Sequence, residues 1–468
     1  MTSTKQAISQ PLVAKKMGLT NDSSSRQSFD RFGDDLSELM LSYLTFEDKL
    51  RHESVSKQWH QLIPQTVTDI RFDEKFLQIT DNSLTALLSK CPNITSIDIS
   101  LLDFTKDYTY SFSSINRYLS ILSLIIRYCP QLRHIYIDRN VGTNNLVSLY
   151  DIIDELVPLF HRLNQLIPEY DRLFTVFAEQ LQTIQVKDQV FKLLNKVLIK
   201  HLKKCTNLST FSDSVPEIYR QLTIEPLFKR LKKLEINVLN KKMVNIFQDI
   251  VRLYGKQLTV LYVEIILDEI SDHFKTIMTG LSQMSQLFDL NIKLNDIDNT
   301  DWTQLSQLLP PIGHNCYRLK RLTICLETNE IDDEIGSNLL KSIFDNFKQL
   351  KRLFLIEKSR NGIDLIGSDD NHQMMNGFKQ LTHLSIISKK MSTTDHHFIS
   401  NIVANCPRLQ YLEYTGYCID SNGLQSLSQL PHLRTIILNN VCNADLNAIQ
   451  NCRKICKVFI SGENNKLL

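Results

Sequence analysis

An apolar trio spaced i, i+3, i+5 recurs along most of this chain and limits its fold more than any other feature. It reads Val67-Ile70-Phe72, Ile94-Ile97-Ile99, Leu132-Ile135-Ile137, Leu181-Ile184-Val186, and Leu208-Phe211 with Asp213 in third place. It continues as Leu231-Leu234-Ile236, Leu258-Leu261-Val263, Leu287-Leu290-Ile292, Leu319-Leu322-Ile324 and Leu350-Leu353-Leu355. The last four are Leu381-Leu384-Ile386, Leu409-Leu412-Tyr414, Leu433-Ile436-Leu438 and Ile455-Val458-Ile460. A single trio means little, because a chain that is 43% apolar fills three chosen positions in about 8% of windows. The steps decide the matter: from Leu181 onward successive first anchors lie 22 to 32 residues apart. Cysteine placement agrees. Cys91, Cys129, Cys205, Cys316, Cys406 and Cys452 each stand three residues before a first anchor, where random placement would put roughly 0.3 of a cysteine.

In an extended segment the i+3 and i+5 residues share one face and their neighbours share the other. Stretches such as "SLTALLSKCPN" and "NLLKSIFDNFKQ" precede the strands with apolar residues at helical spacing. One helix and one strand per repeat, stacked side by side, predict an α/β solenoid with a curved parallel sheet inside and helices outside. The "C-P-x-L-x-x-L" junction resembles the cysteine-containing subtype of leucine-rich repeat, and the resemblance covers residues 67–468. Inserts are expected where the rhythm breaks, near 100–115, 138–180 and 357–377. The second of these holds either a degenerate repeat at Leu163-Leu166 or an inserted helix pair.

Residues 1–28 are polar and rich in Ser, Gln, Thr and Lys, a composition that predicts a disordered tail. Three short helices are expected after it. "DDLSELMLSYL" sets Leu36, Leu39, Met40, Tyr43 and Leu44 on one stripe. Thr45 suits the N-cap of a second helix, with Glu47 and Asp48 in its first turn. Ser54 or Ser56 begins a third, carrying Trp59 and Leu62 into a mutual core.

The stretch "FGDDLSELMLSYLTFEDKLRHESVSKQWHQLI" resembles the F-box, here spanning residues 29–66. It matches at Asp35, Leu36, Met40, Leu41, Ser42, Tyr43, Leu44, Glu47, Asp48, Leu50, Val55, Ser56, Lys57 and Trp59. It departs at Phe32, at Gly33 (a proline in the family), at Lys49 (apolar in the family) and at Gln58. The resemblance implies a Skp-type adaptor and, through it, a cullin–RING complex as partners. Phe32, Leu36, Met40, Leu41, Leu44, Phe46, Leu50, Val55 and Trp59 would carry the adaptor contact. Together with the repeats it implies the substrate-recognition subunit of an SCF-type ubiquitin ligase. The competing expectation is a scaffold or inhibitor outside any ligase, its first helices only closing the solenoid.

A formal net charge of +2 argues against nucleic acid and acidic membranes as partners. No apolar stretch is long enough to span a bilayer, and no secretory h-region is evident. A reduced cytoplasmic or nuclear setting is therefore expected for the ten cysteines. The chain shows no Gly-rich phosphate loop, H-E-x-x-H, C-x-x-C or G-x-S-x-G motif. Cys452 and Cys456 lack further zinc ligands, and Cys452 occupies a repeat slot. His396-His397 and Asp369-Asp370-His372 are read as solvated side chains in polar loops. No catalysis and no cofactor is expected.

Function is then assigned to the concave wall, reached by the i+2, i+4 and i+6 side chains. The candidate substrate contacts are Tyr262, Arg321, Arg352, Phe354, Ile356, Ile387, Tyr411 and Ile437. Aromatic, aliphatic and Arg side chains of this kind anchor protein interfaces. Mixed charge points to a protein ligand rather than a polyanion.

Overall fold

The computed structural model describes residues 33–73, 76, 79–99, 112–138, 170–187, 199–213, 216–224, 228–239, 243–266, 272–295, 299–327, 333–358, 378–392, 396–441 and 446–460. Phe32, the expected tail 1–28, Leu163, Leu166 and residues 359–377 with Asp369, Asp370 and His372 lie outside these residues.

Fourteen strands among the described residues form one sheet in strict chain order. They are β1 (Asp69–Arg71), β2 (Ser96–Asp98), β3 (His134–Asp138), β4 (Thr183–Lys187), β5 (Thr210–Asp213), β6 (Lys233–Leu239) and β7 (Val260–Ile266). The second half comprises β8 (Asp289–Asn295), β9 (Arg321–Glu327), β10 (Arg352–Glu357), β11 (His383–Ser392), β12 (Tyr411–Ile419), β13 (Thr435–Val441) and β14 (Lys457–Ile460). Every neighbouring pair is parallel. The i+3 anchors pair one to one, from Ile70 with Ile97, Ile135, Ile184 and Phe211 to Leu234, Leu261, Leu290 and Leu322. The same row runs on through Leu353, Leu384, Leu412, Ile436 and Val458. A parallel sheet in which each strand has its own intervening segment, with one row of anchors through all fourteen rungs, is a leucine-rich repeat solenoid.

Two devices hold the rungs in register. In many repeats the slot three residues before the first anchor makes the turn into the strand: Leu319 N donates to Cys316 O at 2.9 Å and Leu409 N to Cys406 O at 3.0 Å. Next, one carbonyl serves two N–H groups of the following rung, as when Lys320 O accepts from Lys351 N at 2.8 Å and Arg352 N at 2.9 Å. The slot itself is buried: Cys91, Cys129, Cys205, Cys316, Cys406 and Cys452 are all at most 2% exposed. Ala178, Phe228, Met284, Phe347, Phe378 and Leu430 are buried in the same slot of other repeats. Burial pushes the Cys129, Cys205, Cys316 and Cys406 thiols up to about 12, so they stay protonated and unreactive at neutral pH.

Across the long step from Leu132 to Leu181, β3 pairs directly with β4. His396 and His397, expected in a loop, instead open the helix His396–Asn405.

The N-terminal knob consists of α1 (Asp34–Ser42), α2 (Phe46–His52) and α3 (Lys57–Thr66). Local chemistry sets two of its starts: Thr45 Oγ1 accepts from Asp48 N at 3.2 Å, and Ser56 Oγ accepts from Trp59 N at 3.0 Å. Its core is separate from the main one and contains Leu41, Trp59, Leu62 and Ile63, with Met40 and Leu44 packed alongside. The expected three-helix core is therefore a two-helix core. α2 buries no residue of its own; its Phe46 stacks instead on Phe76 of the first repeat, 6.3 Å between ring centroids. Lys49, the polar departure within α2, donates to Thr66 O at 3.2 Å. That bond places a cation at the C-terminal end of α3, where the helix dipole favours it.

Candidate functional site

Two surfaces stand out, one on the knob and one on the open face of the sheet. On the knob, the stripe expected to be a single core-facing surface is divided. Met40 and Leu44 pack inward beside fully buried Leu41, while Leu36, Leu39 and Tyr43 are 44%, 53% and 81% exposed. The apolar arc of α1 is wider than the contact α3 provides. Positions 37, 40, 41 and 44 use that contact, and positions 36, 39 and 43 lie one step around the helix from it. Val55, in the turn before α3, is 42% exposed. Among the described residues eight large apolar side chains are exposed, and these four belong to the knob. Exposed apolar side chains gathered in this way are a common feature of interaction surfaces.

The expected adaptor contacts therefore occupy three settings. Leu36 and Val55 are exposed. Leu41 and Trp59 are buried, where they hold the helices that display the surface, and Met40 and Leu44 lean on them. Phe46 belongs to the joint with the solenoid, and Leu50 is partly buried on α2. Leu39 and Tyr43 were absent from that set although their spacing places them beside Leu36. The signal was present in the stripe, but spacing alone does not say which edge of an apolar arc is covered.

Gly33, the departure from the family proline, is the N-cap of α1 with φ −68° and ψ 159°. A Cβ built there meets nothing within 4 Å. The backbone already holds the angle that proline prefers.

On the sheet, alternate side chains reach the open face, as the burial of β7 and β8 shows. All eight expected contacts, Tyr262, Arg321, Arg352, Phe354, Ile356, Ile387, Tyr411 and Ile437, are exposed or partly so. Pairing aligns them in rows. Arg321, Arg352, His383 and Tyr411 are consecutive in one row; Thr323, Phe354, Ser385, Glu413 and Ile437 follow in the next. Cys325, Ile356 and Ile387 form a third. Tyr262 stands apart, on β7 opposite Asn291.

The reading from sequence did not give the pairing of the charges on this face. Asp289 Oδ2 accepts from Arg321 Nη1 at 2.8 Å. Lys293 bridges Glu264 at 2.9 Å and Glu327 at 3.0 Å. Burial alone would lower the Lys293 pKa, but hydrogen bonds to both glutamates hold it above its ordinary value. Glu413 accepts from Ser385 Oγ at 2.7 Å and from Tyr411 Oη at 3.1 Å. Burial and then Glu413 push Tyr411 up to about 12, and burial with Glu264 does the same to Tyr262. Asp289 and Arg321 share the i+2 place of adjacent repeats, so aligning the repeats would have exposed that pair.

No family model matches the chain, and no curated protein matches it. Among solved structures it is similar to one described as the Rad7 and Elc1 complex in yeast, at 14% identity over 91% of this chain and 92% of that one, with TM-score 0.47. An internalin from Listeria monocytogenes aligns at 14% identity over 91% of this chain and 93% of its own, TM-score 0.37. A leucine-rich repeat protein of Leptospira interrogans aligns at 14% identity over 86% and 98%, TM-score 0.29. The fold assignment rests on the chain's own sheet, because these superpositions are too loose to carry it. No helix among the described residues is long and apolar enough to cross a membrane.

Proposed function

We propose that this chain is the substrate-recognition subunit of an SCF-type ubiquitin ligase. The knob is an F-box that docks a Skp-type adaptor and, through it, a cullin–RING complex; the open face of the sheet grips a protein substrate. The observation that carries the reading is the divided apolar arc of α1. One part forms the knob's own core, and Leu36, Leu39 and Tyr43 remain uncovered, as does Val55 in the turn before α3. The chain itself performs no chemistry in this scheme. It raises the effective concentration of substrate lysines near a charged ubiquitin-conjugating enzyme, so proximity supplies the rate.

The test is capture by purified Skp-type adaptor. Leu39→Glu and Tyr43→Asp, both exposed, are expected to abolish capture while Trp fluorescence and the melting curve stay as in the parent. Undiminished capture by either variant removes the docking surface from the scheme.

A second reading has its own support. α3 runs directly into Val67, the first anchor, and Phe46 stacks on Phe76, so the knob also closes the open end of the first repeat. Under that reading the chain is a scaffold or inhibitor outside any ligase, and the parent protein does not bind the adaptor.

A further inference from the structure

Several charges on the open face are held by neighbouring side chains. Asp289 holds Arg321, Lys293 is shared by Glu264 and Glu327, and Glu413 is held by Ser385 and Tyr411. Arg352 is not among these: its side chain is exposed, and it forms no ion pair among the described residues. Arg321 and His383 flank it in register on β9 and β11, about 4.8 Å away on either side. His383 stacks on Tyr411 with ring centroids 5.7 Å apart. Burial, then Arg352 and Arg321, hold the His383 pKa below its ordinary value. The field at this row is positive, and the imidazole stays neutral within it.

Along the same strands the character changes. Two residues beyond Arg352 stands Phe354, and two beyond that is Ile356, paired with Ile387. All three are partly exposed. A cationic place is thus followed by two apolar places at steps of about 6.6–7 Å, the side-chain repeat of an extended chain.

We propose that β9–β11 bind an extended protein segment that carries an aspartate or glutamate, with apolar side chains two and four residues further on. The carboxylate docks on Arg352, the first apolar side chain on Phe354, and the second on Ile356 and Ile387. Charge balance selects a carboxylate over a phosphate. Asp289 offsets Arg321 and His383 is neutral, so the row offers about one unpaired positive charge, the complement of a monoanion. The fixed carboxylates Asp289, Glu264 and Glu413 oppose a polyanion. This inference deepens the assignment of the open face to substrate and depends on it.

The test uses the full chain and fluorescence anisotropy with labelled synthetic peptides Gly-Ser-Gly-X-Gly-Leu-Gly-Leu-Gly-Ser, where X is Glu, Ser or phosphoserine. The Glu peptide is expected to bind roughly tenfold more tightly than the Ser peptide, the scale of one charge-assisted hydrogen-bonded contact. Arg352→Ala, at an exposed position, is expected to erase that difference without changing the melting curve. Shifting both leucines one residue closer to X is expected to weaken binding, because they would then point away from Phe354 and Ile356. Equal binding of Glu and Ser peptides, an unchanged preference in Arg352→Ala, or no binding of the Glu peptide overturns the inference. Tighter binding of the phosphoserine peptide than of the Glu peptide overturns the choice of carboxylate. Adaptor capture measured on the same preparations decides the ligase reading separately, since it depends on the knob alone.

Discussion

In the solenoid, each buried anchor has a like neighbour in the rungs before and after it; Leu353 lies between Leu322 and Leu384, and all three are fully buried. In the knob, four buried residues and two partly buried ones form an entire core, separate from the main one. Loss of one side chain from the first is shared by adjacent rungs, whereas loss of one from the second removes a large part of everything present. The difference fits the two tasks proposed for them. A long wall needs continuity, and a small docking piece needs only enough core to hold one apolar stripe outward.

Trp59→Ala should break the comparison at its weakest point. Truncating a buried Trp costs about 3–5 kcal/mol, comparable to all the stability a core this small supplies. Amide protection across 34–66 should collapse, adaptor capture should vanish, and the solenoid should melt as in the parent. Capture that survives this variant would remove the F-box assignment.

Leu353→Ala removes a side chain that is fully buried in the wall, at a cost of about 2–5 kcal/mol. Because stability in a repeat array is a sum of nearest-neighbour terms, faster hydrogen exchange is expected in β9–β11 only. Adaptor capture should be unchanged. Exchange that also rises throughout the knob would show that the two cores are not separate.

Gly33→Pro is the smallest change and has the opposite sign. The φ of −68° and the open space around a built Cβ predict stabilisation of the knob by about 0.4–1 kcal/mol, through the unfolded chain. A raised midpoint for loss of knob protection checks this. A lowered one would mean that the residue is strained as proline.

The legibility of the sequence follows the range of each interaction. Anchor rows were visible because strand parity writes them directly: Ile70, Leu322 and Leu412 are each the i+3 member of a trio and fall in one row. Caps were visible because Thr45 and Ser56 act within three residues. The side taken by α2 was not, since Phe46 and Phe76 are 30 residues apart and no periodicity connects them. Nor was the division of the α1 arc, because Leu36 and Met40 have equally good helical spacing and only the placement of α3 chooses between them. On the open face the alternation of exposed and buried side chains was legible. The pairing of Asp289 and Lys293 was not, because it arises between repeats rather than within one.

Hydrogen exchange of the full chain with and without purified Skp-type adaptor separates the two surfaces most directly. Slowed exchange is expected in α1 and around Val55, with β9–β11 unchanged. Unaltered exchange over 34–55, or protection that appears on β9–β11 instead, would contradict the division of the molecule into a docking knob and a substrate wall.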